Sequence, residues 1–259
     1  MDLGIAGRKA IVCGSSRGLG RGCAEALAAE GCEVLVNGID EARLEQAAGQ
    51  IREATGAKII AVAADVTTPE GREALLSGMP DPDILVTNAA GPPPSDFRDI
   101  DDAALRLGIE KNMATPIALI QAVIDGMVAR GWGRIVNITS ASVLTGIEGL
   151  DLSSGARAGL TAFLAGVARQ VAPHGVTINH LLPGAFDTDR LRGINRAKAA
   201  ADGVPFEEVV ARRKAQAPVG RFGRPEEFGA ACAFLCSEHA GFIVGQGLLL
   251  DGGAFRANF

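Results

Sequence analysis

Tyrosine is absent from all 259 residues, tryptophan occurs once, and aromatic side chains make up only 4% of the chain. A folded core must therefore rest on aliphatic side chains, and any chemistry needing a phenol must find another group. Positive charge is in short supply: 25 Lys and Arg against 30 Asp and Glu leave a net charge of −5 at pH 7. That balance excludes the basic footprint of a nucleic-acid-binding protein, so no nucleic-acid partner is expected. The histidines, His174, His180 and His239, form no ligand-spaced cluster, and no metal site is expected. Five cysteines (Cys13, Cys23, Cys32, Cys232, Cys236) are odd in number and make no C-x-x-C pair. They read as buried free thiols of a reducing cytosol. No basic–apolar–small leader opens the chain, neither end carries a lipidation signal, and no apolar run approaches the roughly 18 residues needed to cross a bilayer. The expectation is a cytoplasmic protein without a membrane partner.

What the sequence does contain is glycine, 34 residues without period three, and a hydrophobic fraction of 47% with 21% charged residues. That composition excludes collagen and global disorder and implies a folded chain with many tight turns. Short apolar runs alternate with helical patterns. Strands are expected at Lys9–Cys13, Glu33–Asn37, Lys58–Ala63, Asp83–Thr87, Arg134–Thr139, Val176–Leu181 and Gly247–Leu250. Helices are expected between them: Gly18–Glu30, a helix capped by Asp40 and running to Ala54, Pro69–Ser77, a long one over Asp102–Arg130 perturbed at Pro116, Ser153–Ala172 and Pro225–Cys236. Seven strands separated mainly by helices predict an α/β fold, a parallel sheet covered on both faces, in a single domain over residues 1–259. The segment Asp187–Gly220 breaks the rhythm. It reads either as a cap over a substrate cleft or as a plain surface helical hairpin.

Directly after the first strand comes Gly14-Ser15-Ser16-Arg17-Gly18-Leu19-Gly20, opening a helix. Glycines let a backbone turn sharply and approach a pyrophosphate, and a helix N-terminus offers free N–H groups and a favourable dipole. The spacing G-x-x-x-G-x-G would be weak evidence alone. Its strand–turn–helix setting at the start of an alternating chain points to nucleotide binding.

These residues belong to a longer series: Ala64-Asp65-Val66, Thr87-Asn88-Ala89-Ala90-Gly91, Asn112, Val136-Asn137-Ile138-Thr139-Ser140, Pro183-Gly184 and Asp251-Gly252-Gly253. In that order they resemble the short-chain dehydrogenase/reductase family, in particular its 3-oxoacyl-carrier-protein reductase-like branch, from about Gly7 to Gly253. The resemblance implies a single Rossmann-type doubly wound domain, usually assembled as a tetramer. It implies cofactor contacts from Gly14, Ser16, Arg17, Gly18, Leu19 and Gly20. Asp65 and Val66 would meet the adenine, and Asn88, with Ala89, the adenosine ribose side. Pro183, Gly184 and Thr188 would hold the nicotinamide amide. NAD-preferring sites place an acid at the end of the second strand, whereas a 2′-phosphate needs positive charge. Gly38 stands at that position, Asp40 comes too late, and Arg17 could face a phosphate. NADP is the expected cofactor, with NAD the alternative, although Ile39 stands where many NADP-binding members carry arginine.

The family's chemistry uses Asn, Ser, Tyr and Lys. By resemblance Asn112 and Ser140 are the first two. The tyrosine would lie thirteen residues after the serine and the lysine four further on, and those positions hold Ser153 and Arg157. An aliphatic hydroxyl is a far weaker acid than a phenol of pKa about 10. A guanidinium keeps the charge that could hold the nicotinamide ribose but stays protonated, so it cannot relay a proton. Losing a positioned acid costs about 10²–10⁴-fold in rate, so turnover by a non-standard proton route is expected to be slow. Glu148, Asp151, Asp187 and His180 are weak stand-ins; the acids read as solvated charges and the histidine as part of the sheet. Two readings stand. One is an NADP(H)-dependent oxidoreductase acting on a small-molecule carbonyl or alcohol. The other is a nucleotide-binding regulator or silent partner subunit in a mixed tetramer. A lyase or isomerase has no specific support. The apolar end around Phe234, Phe242-Ile243-Val244 and Leu248-Leu249-Leu250 fits a homo-oligomer, and the loops around the cleft carry no readable substrate code.

Overall fold

The computed structural model describes residues 1–257. Strand β1 (Lys9–Val12) turns through the glycine segment into α1 (Gly18–Ala29), and β2 (Glu33–Gly38) follows. Helix α2 (Glu41–Thr55) starts where Asp40 accepts a hydrogen bond from the Arg43 N–H, and it stops at left-handed Gly56. Then come β3 (Ile59–Ala63), α3 (Pro69–Gly78) and β4 (Ile84–Thr87). After α4 (Asp102–Ile109) and α5 (Thr115–Arg130), β5 (Gly133–Ile138) leads to α6 (Asp151–Val171) and β6 (Val176–Pro183). Helices α7 (Asp189–Asp202), α8 (Phe206–Lys214) and α9 (Pro225–Leu235) precede the edge strand β7 (Gly247–Leu250).

The seven strands form one parallel sheet in the order β3-β2-β1-β4-β5-β6-β7. This is the expected Rossmann-like α/β arrangement. Because all strands run one way, their C-terminal ends share one edge, and the loops that follow them gather there. The central strands are buried on both faces, which explains why they read as short, mainly apolar runs rather than as alternating ones, with Arg134, Asn137 and Thr87 as buried polar exceptions. One face packs α1, α2 and α9 through residues such as Leu27, Leu44 and Phe228. The other packs α3, α5 and α6 through Leu75, Leu119, Met127 and Leu164. Each fully buried aliphatic side chain contributes about 1.5–3 kcal/mol, so an aliphatic core replaces the missing aromatics.

The long helix differs from expectation in an informative way. It breaks at Glu110–Ala114, a π-helical turn, rather than at Pro116, which sits in the first turn of α5. Proline cannot donate to the carbonyl four residues back, which is that of Asn112, and its ring crowds that carbonyl. The helix widens upstream instead: the Thr115 N–H bonds to the Glu110 carbonyl, five residues away. The stretch Asp102–Arg130 spans 29 residues and is long and apolar enough to cross a membrane by length and composition, contrary to expectation. Its buried side chains, Leu119, Ile120, Val123 and Met127, belong to the core against the sheet.

At the opposite, N-terminal edge of the sheet the lone tryptophan, Trp132, lies between two cations. The Arg8 guanidinium is 3.9 Å and that of Arg134 4.5 Å from its ring centroid.

Helices α1 and α9 meet backbone to backbone. A Cβ on Gly22 would stand 2.4 Å from the Pro225 carbonyl oxygen, and one on Gly229 only 2.1 Å from that of Gly22. No flexible side chain can yield there. Gly229→Ala is therefore expected to lower unfolding stability by about 1–3 kcal/mol through overpacking, measured by urea denaturation. A change below about 0.5 kcal/mol would show that the helices separate freely.

Candidate active site

The glycine turn is held from behind by three polar side chains. Buried Ser15 donates to the Val12 carbonyl at 2.7 Å and accepts from the Asn37 N–H at 2.9 Å. The Asn37 side chain accepts from the Gly14 N–H at 3.3 Å and donates to the Val62 and Ala64 carbonyls. Asn88, just past β4, donates to the Gly14 carbonyl at 3.1 Å. Sequence reasoning missed Ser15 and Asn37; a polar residue ending an otherwise apolar strand was the only available signal. The turn itself cannot be built from other residues. Gly14 has φ +56°, and a Cβ on Gly20 would stand 2.3 Å from the Gly14 carbonyl oxygen. Helix α1 begins without a side-chain cap and with no acid in its first turn. Its N–H groups are therefore open to an anion beside Ser16, Arg17, Gly18 and Leu19.

The other expected nucleotide residues line the same edge. The Asp65 carboxylate accepts from the Thr67 N–H at 2.9 Å and from its hydroxyl at 2.8 Å, and those bonds, the backbone one foremost, hold its pKa below the ordinary value. Val66 packs its side chain into the core and gives its carbonyl to Arg72. Thr188 caps α7, and its methyl lies 3.6 Å from the point where a Cβ on Gly18 would begin, bringing α7 over the glycine turn. The Gly184 N–H bonds to the Leu250 carbonyl just after Pro183 ends β6. At the end of β2, Gly38 lies against the Ser16 side chain and no acid stands there; Asp40 caps α2 and pairs with Arg43 at 3.4 Å, and Ile39 is 75% exposed.

On the β5–α6 side, Ser153 and Arg157 lie one helical turn apart, both buried at 8% exposure. The Arg157 Nε donates to Ser153 Oγ at 3.1 Å. Nη1 donates to the Ile138 carbonyl at 2.6 Å, and Nη2 to the Ala89 carbonyl at 3.2 Å. Three of its five N–H groups thus bind protein, joining the ends of β4 and β5 to α6. Burial, and secondarily the charge of Arg190, push the guanidinium down to about 10, so it stays charged at neutral pH. Ser140 Oγ accepts from the Ser142 N–H at 3.1 Å. Asn112 occupies the π-turn, which packs on α6 through Met113 against Gly159. Its side chain is buried, and neither Oδ1 nor Nδ2 has a partner among the described residues.

The stand-in acids do not reach this pair. Glu148 and Asp151 are exposed, and Asp187 is ion-paired with Arg192 at 2.9 Å. His180 lies inside the sheet between Asn137 and Gly247, where burial pushes its imidazole down to about 4. It is neutral at neutral pH, and its Nδ1 has no partner among the described residues. Cys13, beside the glycine turn, is an inert thiol that burial raises to about 12. Arg190, in the first turn of α7, was not anticipated: it donates to the Gly91 and Pro92 carbonyls at 3.2 Å each.

A family model described as enoyl-(acyl carrier protein) reductase matches residues 14–254. The 3-oxoacyl-[acyl-carrier-protein] reductase FabG of Aquifex aeolicus is 32% identical over 98% of this chain and all of its own length. Among solved structures, an L-sorbose reductase from Gluconobacter frateurii, complexed with NADPH and L-sorbose, superimposes with a TM-score of 0.93 at 29% identity, covering 99% of this chain and all of that one. A 3-oxoacyl-(acyl-carrier-protein) reductase from Agrobacterium tumefaciens C58 with NADP bound gives 0.87 at 30% identity, covering 97% of this chain and 96% of that one. The chain belongs to the short-chain dehydrogenase/reductase family, in its 3-oxoacyl-carrier-protein reductase-like branch.

The Arg157 ties make a test of their own. Arg157→Met strands the buried Ile138 carbonyl, the part-buried Ala89 carbonyl and the Ser153 hydroxyl, a fully buried unmet group costing about 1–3 kcal/mol. Urea denaturation is expected to show a loss of about 2 kcal/mol or more, with Arg157→Lys intermediate. Unchanged stability would show that the guanidinium holds nothing together.

Proposed function

We propose that this protein is an NADP(H)-dependent oxidoreductase that interconverts a small-molecule carbonyl and its alcohol, with a proton route that does not use tyrosine. The observation that carries this reading is the placement of the uncapped, glycine-built mouth of α1 beside the buried Ser153–Arg157 pair, at one edge of the sheet. The residues present fit the cofactor. The cradle of Gly14, Gly18 and Gly20 excludes side chains where a pyrophosphate would lie, and Leu19, Asp65, Val66, Asn88, Ala89, Pro183, Gly184 and Thr188 surround it. No acid stands at Gly38 to repel a 2′-phosphate, and Arg17 is exposed beside it. When bound, the nicotinamide supplies the hydride chemistry.

The chain's own residues do the rest. Ser140 and Ser153 hydroxyls bind the substrate oxygen, and the Arg157 charge, little screened at 8% exposure, stabilises negative charge developing there. Asn112 offers an unpartnered amide and, because of Pro116, a carbonyl without its helical donor. Together these hold the water that delivers the proton. A water is a weaker acid than a lysine-assisted phenol, so slow turnover is built into the site.

Two helices, α7 and α8, form a cap over the substrate side, with Thr188 and Arg190 as their points of contact with the cleft. Five free cysteines, all buried, accord with a cytoplasmic location.

Steady-state NADPH oxidation over a panel of ketones tests the activity. Turnover above the uncatalysed rate is expected with NADPH and at least about tenfold less with NADH. The double variant Ser153→Tyr, Arg157→Lys is expected to raise kcat by about 10²-fold or more. Absence of turnover in both parent and double variant would overturn the reading.

Assembly as a homo-tetramer is part of the same proposal. It rests on the edge strand β7 and its neighbours, where Phe234 (38% exposed), Phe242 (102%) and Leu248 (38%) face outward. Light scattering should give a multiple of the 26.6 kDa chain mass, and Phe242→Glu should lower it. A monomer in the parent would refute this.

A further inference from the structure

Two cations meet at the substrate side of the cleft with no anion between them. Arg157 comes from α6 and Arg190 from the cap helix α7, and neither is ion-paired within 4.0 Å among the described residues. The acids nearest Arg190 in sequence are turned away: Asp187 and Asp189 both pair with Arg192, at 2.9 and 3.6 Å. Arg190 is instead drawn across to the Gly91 and Pro92 carbonyls. That places Arg190 Nη2 at 3.1 Å and Ser153 Oγ at 3.2 Å from the point where a Cβ on Gly91 would begin. Arg190 and Ser153 therefore both pack against Gly91, where even a methyl would crowd them, and the guanidinium fork stands beside the serine hydroxyl of the catalytic pair. Burial, with Arg190 nearby, weakens proton binding at Arg157, as expected of like charges held together without a counter-ion. A protein of net charge −5 that keeps two unpaired arginines at one cleft has a local field favouring anions.

We propose that the substrate carries an oxyanion, a carboxylate or a phosphate group, close to its reacting carbonyl, and that Arg190 is the specificity-determining residue that binds it. This rests on the oxidoreductase reading for the word substrate, but the anion site itself does not. A guanidinium presents paired N–H donors that match the oxygens of either group. Arg157, behind it, adds charge without needing to move. Closure of α7 over such an anion would neutralise the repulsion between the two cations.

The test is calorimetric titration of NADP⁺-saturated protein with malonate and, separately, inorganic phosphate. Saturation removes the cofactor's own phosphates as an explanation: if Arg190 served those, neither probe would bind. Binding is expected, with malonate tighter than phosphate for a carboxylate-bearing substrate and the reverse for a phosphate-bearing one. Arg190→Gln should weaken it at least about tenfold, Arg190→Lys less, and Arg212→Gln, which alters an exposed arginine on α8 paired with Glu208, not at all. In the turnover arm, oxo acids should have KM values at least about tenfold below those of their methyl esters. If no ketone is reduced yet malonate or phosphate binds and Arg190→Gln abolishes that binding, the oxidoreductase reading fails and the anion site stands. Failure of both probes to bind, or binding equally strong in Arg190→Gln, overturns the proposal.

Discussion

The rest of the active edge depends on one buried guanidinium. Arg157 takes the ends of β4 and β5 and the first turns of α6 as three acceptors, and no carboxylate offsets its charge among the described residues. Desolvating a cation is costly, and carbonyl dipoles offset that cost only if each is well placed. A lysine could not serve the same three acceptors, because its ammonium is a point charge rather than a planar fork. Ser153 and Arg157 are therefore matched to each other: the small hydroxyl leaves the path that the long arginine takes, and the arginine supplies the partner that the hydroxyl needs.

The nucleotide side follows a different logic, in which side chains organise backbone. Ser15, Asn37 and Asn88 all terminate on main-chain groups of the glycine turn or of the strands beside it. Three of the turn's seven residues are glycines, so its shape rests on hydrogen bonds made by Ser15 within it and by Asn37 and Asn88 beside it. Asn37 acts from the end of β2 while also tying down the segment after β3.

Much of this was legible from local pattern. Strand–helix alternation survives because a parallel sheet buries its central strands on both faces, and a glycine turn before a helix has few other uses. The helix break was legible in kind but not in place, because proline acts on the carbonyl four residues back, at Asn112, and not on itself. Arg157 was legible as a charge but not as a tie, since carbonyl acceptors have no signature in a sequence. Arg190 was illegible for a stronger reason. Its partners lie 99 and 98 residues away, and it sits in a segment that reads equally as a cap over a cleft or as a plain surface hairpin, with nothing to single out one arginine.

The setting of Trp132 has a spectroscopic consequence. With no tyrosine in the chain, this indole is the dominant ultraviolet chromophore and emitter. It is pinned between two guanidiniums at the edge of the sheet opposite the cleft. Its emission therefore reports on the base of the sheet and on unfolding, while the cleft stays optically dark. Light absorbed or emitted there will belong to the bound nucleotide, which makes this chain a clean background for watching a reduced nicotinamide.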